Sequence, residues 1–149
     1  MRPSLSQILM GAADTLGRDI APLAADAPFA QGQLGAIGLI LACVAQEADR
    51  AVETAILEQE ALRALFADAA KVALPEHLRA RVAAAAREER KSLRLSDLEA
   101  QRESMTALLG ELLEHIEQQY FDWAEDLEKR IWRALKAGTE RRTLYLPVL

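Results

Sequence analysis

The stretch PFAQGQLGAIGLILACVAQEADRAVETAILEQEALRALFADAA, residues 28–70, decides the fold because no proline follows its first residue. Its apolar residues recur at helical spacing and make one continuous face. That face consists of Ile37, Leu41, Val44, Ala48, Val52, Ala55, Leu62 and Phe66. Proline suits a first helical turn. We therefore predict one helix over residues 29–70, which would be about 60 Å long at about 1.5 Å per residue.

Two shorter helices are predicted before and after this stretch. Ser4 and Gln7 fit a capping box, in which each side chain satisfies a backbone N–H group of the other residue, and an apolar face follows. This pattern predicts a helix over residues 5–25. Pro75 suits the start of a third helix, which we place over residues 76–91.

A second long helix is predicted near the end of the chain. Ser96 and Glu99 fit a capping box, and Gly138 is typical of the position just after a helix end. These signals predict a fourth helix over residues 97–137. Its apolar face consists of Met105, Leu109, Leu112, Ile116, Tyr120, Trp123, Leu127, Ile131 and Ala134.

The predicted fold class is all-α. Because the connections are short, we expect an antiparallel helical bundle of about four helices in the order short, long, short, long. Residues 1–149 are expected to form a single domain. The end of the chain, residues 139–149, is apolar and β-prone, and we expect this tail to dock onto the helices.

Composition excludes several classes of protein. Of the 149 residues, 51% are hydrophobic and 28% are charged, as in an ordinary soluble domain. The single cysteine, Cys43, excludes an intramolecular disulfide framework and a Cys-rich zinc site. The net charge of -5 argues against a dedicated nucleic-acid binder, which would carry a basic field.

The sequence also predicts a cytoplasmic protein without membrane contact. The N-terminus lacks the apolar block of a secretory signal. The most hydrophobic run, from Leu34 to Ala45, is shorter than the roughly 20 apolar residues that a spanning helix needs.

The two long helices predict a homodimer. Two short helices cannot cover the full apolar faces of two long ones, so a second copy of the chain is expected to cover the remainder. The alternative is a hinge near Gly35 and Gly38 that breaks the long helix. These glycines also lie on a face of small residues, which predicts close helix packing there; the alternative is a small-molecule pocket beside them.

Large aromatic residues mark a second expected interface. Phe121 and Trp132 lie 11 positions apart, so on one continuous helix they point in nearly the same direction, among charged residues. Such aromatic residues usually contact another surface. We expect the C-terminal tail, with Tyr145 and Leu146, to cover them from the same subunit or from its neighbour.

The sequence contains no motif for catalysis or metal binding. A di-metal carboxylate bundle needs Glu-x-x-His motifs, but neither His77 nor His115 has a glutamate three residues before it. Cys43 lies in the most apolar segment, where a thiol behaves as a small hydrophobe. We therefore predict no catalytic residues, no metal site and no cofactor.

The third helix carries a candidate anion patch. Arg79, Arg87, Arg90 and Arg94 project into one broad sector of the predicted helix. This sector would attract a phosphate-bearing or acidic partner. The preferred interpretation is that these arginines pair with acidic residues of neighbouring helices.

The predicted function follows from these patterns. We expect a protein that is not an enzyme and that acts through self-association and through binding of another protein. One alternative is a metal-carboxylate or small-molecule-processing enzyme built on the same bundle. A second alternative is a regulatory protein that responds to an anion through the basic third helix.

Overall fold

The computed structural model describes residues 2–145, and within that range the chain is helical and contains no β-strand. The α-helices are α1 (Leu5–Thr15), α2 (Pro28–Ala69), α3 (Glu76–Arg87), α4 (Leu95–Glu117) and α5 (Asp122–Arg141). The all-α class is therefore confirmed. The described residues form five α-helices rather than about four.

The first helix begins as predicted but ends early. The Ser4 hydroxyl accepts a hydrogen bond from the Gln7 backbone N–H at 3.2 Å, and the Gln7 side chain accepts one from the Ser4 N–H at 2.9 Å. The predicted capping box is confirmed. The chain leaves α geometry after Thr15, and residues 16–24 form a π turn and a 3₁₀ turn. Pro22 lies in this segment; it has no N–H to donate and its ring crowds the preceding turn, so α geometry is not continued.

The long helix α2 agrees with its prediction to within one residue at each end. It spans 42 residues without interruption. It passes through Gly35 and Gly38 as a regular helix, so the alternative of a hinge at these glycines is wrong.

The ends of the next two helices differ from their predictions. Helix α3 ends at Arg87 rather than at residue 91, because Glu88 adopts an extended conformation with ψ of 119°. Helix α4 begins after Arg94, which caps it with an extended backbone and no side-chain hydrogen bond. The predicted capping box of Ser96 and Glu99 is therefore wrong, since Ser96 already lies inside the helix.

The predicted fourth helix is two helices. The chain departs from helical geometry between Gln118 and Phe121. Phe121 has an extended backbone, with φ of -111° and ψ of 148°. Tyr120, predicted on the buried face, is 99% exposed. Because of this break, Leu127 and Ile131 of α5 pack into the same core as the buried residues of α4. A straight helix of this length would extend beyond that core.

Gly138 does not end a helix. Helix α5 continues through it to Arg141. A Cβ at this position would lie 3.6 Å from the Glu58 side chain. This is an ordinary van der Waals distance, so a larger residue such as alanine would also fit here, and the predicted helix-ending role of Gly138 is wrong.

The described chain forms two compact units, although the sequence predicts a single domain. Unit 1 comprises Met1–Ala51 with Thr143–Leu149, and unit 2 comprises Val52–Arg142. The boundary falls within α2, so that this helix contributes residues to both units.

Unit 2 contains the hydrophobic core. Its largest fully buried side chains include Phe66 of α2, Leu112 of α4 and Ile131 of α5. Helix α3 adds Leu78 and Val82 to the same cluster. Truncating a buried aromatic such as Phe66 to alanine typically costs about 3–5 kcal/mol of stability, so this core is an important source of the stability of unit 2.

Unit 1 has almost no core. Its buried side chains among the described residues are three alanines, Ala42, Ala45 and Ala51. The N-terminal half of the predicted α2 face is largely exposed. In the C-terminal half, Ala55, Leu62 and Phe66 are buried in unit 2 as expected, whereas Val52 is 38% exposed. The exposed large apolar side chains of unit 1 up to residue 44 are Leu5, Ile8, Met10, Ile20, Leu23, Phe29, Ile37, Ile40 and Val44.

Candidate interaction surface

The candidate functional site is the set of nine exposed apolar side chains just described, which we call the unit 1 surface. Helix α2 carries no charged residue from Pro28 to Gln46, and its exposed side chains Ile37, Ile40 and Val44 lie within this stretch. Helix α1 adds Leu5 and Ile8. Clustered apolar exposure of this kind marks a surface that contacts another molecule.

A groove runs between α1, the turn that follows it and α2. It has a volume of about 440 Å³ and is lined on the α1 side by Met10, Ala13, Asp14, Gly17 and Arg18, and on the α2 side by Leu34, Gly35, Gly38, Leu39 and Ala42. A Cβ added at Gly35 or Gly38 would meet no atom within 4 Å. The expected close helix packing at these glycines is therefore absent from unit 1, and they line open space instead.

Two opposite charges border this groove. Asp14 lies in the last turn of α1, and Arg18 follows it by one helical turn. The rest of the groove wall consists of small and apolar residues. The groove therefore has one acidic and one basic side chain, Asp14 and Arg18, at the edge of an apolar surface.

The described part of the tail is attached to α2 within unit 1. The Gln46 side-chain amide donates to the Tyr145 carbonyl at 2.7 Å and accepts from the Tyr145 N–H at 3.0 Å. Arg50 Nη2 donates to the Thr143 carbonyl at 2.8 Å. Tyr145, predicted as an interface residue, is thus placed by its main chain. Leu146, the other predicted tail residue, lies outside the described residues.

The structure does not join Phe121 and Trp132 into one helix face. Phe121 caps α5 from outside the helix, so the angular argument that paired it with Trp132 does not apply. The Phe121 ring stacks on Trp123 with centroids 6.3 Å apart. The Trp132 indole N–H donates to Glu128 at 3.2 Å. Both predicted residues are exposed, each in its own surroundings.

The four arginines of the predicted anion patch are also separated. Arg79 and Arg87 belong to α3, whereas Arg90 and Arg94 follow the end of that helix and do not share its face. Arg79 pairs with Glu76, and Arg90 Nη2 donates to Glu60 at 3.2 Å. The pair of Arg90 with Glu60 of α2 matches the preferred interpretation of arginines bound to acidic residues of neighbouring helices, whereas the pair of Arg79 with Glu76 lies within α3.

Another arginine of α3, Arg81, is not part of the predicted patch and makes a bidentate interaction with a neighbouring helix. Arg81 donates through both terminal nitrogens to the Glu111 carboxylate of α4. These hydrogen bonds lower the pKa of Glu111 and raise the pKa of Arg81. Only the three-dimensional fold brings the two residues together, since they lie 30 positions apart.

Histidines and acids meet at one place in unit 2 without forming a metal site. His77, Glu111, Glu114 and His115 border a surface depression of about 210 Å³. Glu111 is engaged by Arg81, and no group of three or more His, Cys, Asp or Glu side chains within residues 2–145 could hold a metal ion. The single cysteine, Cys43, is half-buried in unit 1.

Helix α2 is long and apolar enough to cross a membrane. Its most apolar window of 18 residues has a mean hydropathy of 1.5, and 11% of that window is buried. This window is longer than the run from Leu34 to Ala45 on which the prediction of no membrane contact rests. Core helices of soluble proteins and N-terminal signal sequences meet the same criterion, so this one helix is weak evidence of a membrane span.

Comparison with known proteins identifies no relative. No protein-family model matches the chain. No curated protein and no solved structure matches it either.

Proposed function

We propose that the protein is a cytoplasmic, non-enzymatic association module whose unit 1 binds the same unit of a second copy to form a homodimer. The observation that carries this proposal is the imbalance within unit 1. Up to residue 44, nine large apolar side chains are exposed there, whereas the buried side chains among the described residues of this unit are three alanines. Full burial of one large apolar side chain contributes about 1.5–3 kcal/mol, so covering this surface is strongly favourable.

A second copy supplies the missing cover in a simple way. Two helices, α1 and the first half of α2, border the groove of unit 1. The same two helices from a partner would complete a four-helix arrangement around a shared apolar interior. In this proposal the expected helical bundle is formed between two chains rather than within one.

The charges of the groove favour a copy of this chain over a lipid bilayer. In a two-fold interface, residue i of one copy meets residue j of the other and the reverse contact also forms. Asp14 and Arg18 lie one turn apart on the groove wall, so each could face its opposite charge across such an axis. A bilayer would instead have to accommodate both charges in an apolar environment, which is costly.

Light scattering coupled to size-exclusion chromatography tests the proposal. We expect the purified protein to have twice the mass of one chain across the micromolar range. Ile40→Glu places a charge on the unit 1 surface, where Ile40 is 60% exposed, and is expected to give monomers. Leu93→Glu is the matched control, because Leu93 is similarly exposed at 65% but belongs to unit 2.

Two results would contradict the proposal. One is a wild-type mass of a single chain at every concentration. The other is sedimentation of the wild-type protein with phosphatidylcholine and phosphatidylglycerol vesicles that Ile40→Glu abolishes, which would assign the unit 1 surface to a membrane. An equal loss of dimer in Leu93→Glu would show that the effect is not specific to unit 1.

A further inference from the structure

Unit 2 contains a pocket that is lined by three arginines and one carboxylate. The pocket lies between α2, α4 and α5 and has a volume of about 300 Å³. We call it the arginine pocket and define it by Arg102, Arg141, Arg142 and Glu58, all of which line it. Glu58 belongs to α2, Arg102 to α4, and Arg141 and Arg142 lie at the end of α5, so only the fold brings all four together.

Glu58 neutralises only part of this positive charge. Arg142 donates to the two Glu58 oxygens through Nε at 2.6 Å and Nη2 at 2.8 Å, in the bidentate geometry that suits a carboxylate. Arg102 Nε lies 3.8 Å from the same carboxylate, which is an ion pair but too long for a hydrogen bond. Arg142 is thus engaged by Glu58, whereas Arg102 and Arg141 make no hydrogen bond to this carboxylate.

Two of the arginine nitrogens are buried without a hydrogen bond. Arg102 Nε and Arg141 Nη1 have no hydrogen-bond partner within residues 2–145. Buried charged donors are normally paired, and leaving them unpaired is unfavourable. An anion that enters the pocket beside Glu58 would accept from these donors and would neutralise the remaining charge.

The other walls of the pocket are apolar. Leu62 of α2, Leu109 of α4, and Ala134 and Leu135 of α5 line it together with the arginines. Ligand sites commonly combine apolar walls with a few converging polar groups. A fully hydrated inorganic ion would leave these walls without a partner, whereas a hydrocarbon chain would cover them.

We infer that the arginine pocket binds a small organic acid, with its carboxylate on Arg102 and Arg141 and its hydrocarbon chain against the leucine and alanine walls. Arg142 remains on Glu58 and holds that carboxylate away from the ligand. The inference concerns unit 2 alone and does not depend on dimerisation through unit 1.

Calorimetric titration of the full chain with octanoate tests this inference. We expect octanoate to bind at least tenfold more tightly than 1-octanol, which has the same chain without the charge. Arg141→Gln and Arg102→Gln are each expected to weaken octanoate binding at least tenfold. Arg87→Gln removes an exposed arginine of α3 and is expected to leave binding unchanged, which separates the pocket from net charge.

Several outcomes would overturn the inference. Equal binding of octanoate and 1-octanol would mean that the arginines do not select a carboxylate. Binding of inorganic phosphate but not octanoate would assign the pocket to another class of anion. Circular dichroism of each variant shows whether it is folded, and if Arg141→Gln is not, the comparison of octanoate with 1-octanol on the wild-type protein still decides the question.

Discussion

Asp68, at the end of α2, accepts hydrogen bonds from two cations. Lys71 Nζ lies 2.7 Å from one of its oxygens, and Arg130 of α5 donates to the other. The hydrogen bond from Lys71, and then that from Arg130, lowers the pKa of Asp68 from 3.8 to about 2. Because the folded-state pKa is the lower one, ionised Asp68 stabilises the native state above pH 3.8, and this contribution is lost as the pH falls through about 2.

In Asp68→Asn, the free energy of unfolding should therefore depend less on pH in the acidic range. We expect the variant to be less stable than the wild type at neutral pH, with a smaller further loss between pH 3.8 and about 2. Urea unfolding at a series of pH values measures both effects. Glu99→Gln removes an exposed carboxylate of α4 and serves as the control. Parallel profiles for Asp68→Asn and the wild type would contradict the assignment.

At the residue scale, local pairs could be predicted and distant pairs could not. The capping box of Ser4 and Gln7 was predictable because both partners lie within one helical turn. Glu58 and Arg142 lie 84 positions apart, so no spacing rule relates them. The predicted anion patch assumed that the third helix continues to residue 91 and beyond the turn that follows, but α3 ends at Arg87, before Arg90 and Arg94. Of the arginines that line one pocket, Arg102 belongs to α4, whereas Arg141 and Arg142 lie together at the end of α5.

At the scale of elements, the break between α4 and α5 is the largest departure from the prediction. The apolar spacing runs through it without a change of phase, and the segment contains neither glycine nor proline. One signal was present: Asp122 and Glu125 place two acidic residues in the first turn of α5, where they interact favourably with the helix dipole. By contrast, α2 has a proline at its start and no other breaker, and its ends were predicted closely.

Asp122→Pro tests this break directly. Asp122 is the first residue of α5, a position where proline is favourable, and Phe121 before it already has the extended backbone that proline requires. We expect a change of less than about 1 kcal/mol in the free energy of unfolding, whereas proline inside a helix costs about 3 kcal/mol or more. Urea unfolding measures the difference.

Glu128→Pro provides the comparison, because Glu128 lies in the middle of α5. We expect the free energy of unfolding of this variant to fall by about 3 kcal/mol or more, as for any proline inside a helix. A similar large loss in Asp122→Pro would show that residues 117–122 form a continuous helix.

At the scale of the whole molecule, the two units differ in how much apolar surface each one buries. Hydrogen exchange can detect the consequence, because association protects a surface only when the partner is present. We expect the amides of residues 34–45 to exchange more slowly as protein concentration rises over a hundredfold range. The amides of residues 105–116, in the core of unit 2, should show no such dependence.

The Ile40→Glu variant completes this test. Its amides over residues 34–45 are expected to exchange at a rate independent of concentration. A concentration effect that persists in the variant would place the association elsewhere. The sequence predicted more apolar surface than one chain could cover, but not where it would lie: a periodic pattern shows which residues share a face, not which part of that face finds a neighbour.

The attachment of the tail has a consequence for variation at its last described residue. Both hydrogen bonds from Gln46 go to the peptide groups of residue 145, and the Tyr145 ring itself projects into solvent. Hydrogen bonds to the main chain do not depend on which side chain residue 145 carries. We therefore expect most substitutions at position 145 to keep both hydrogen bonds to Gln46. Proline is the exception, because it lacks the N–H that one of the two bonds requires.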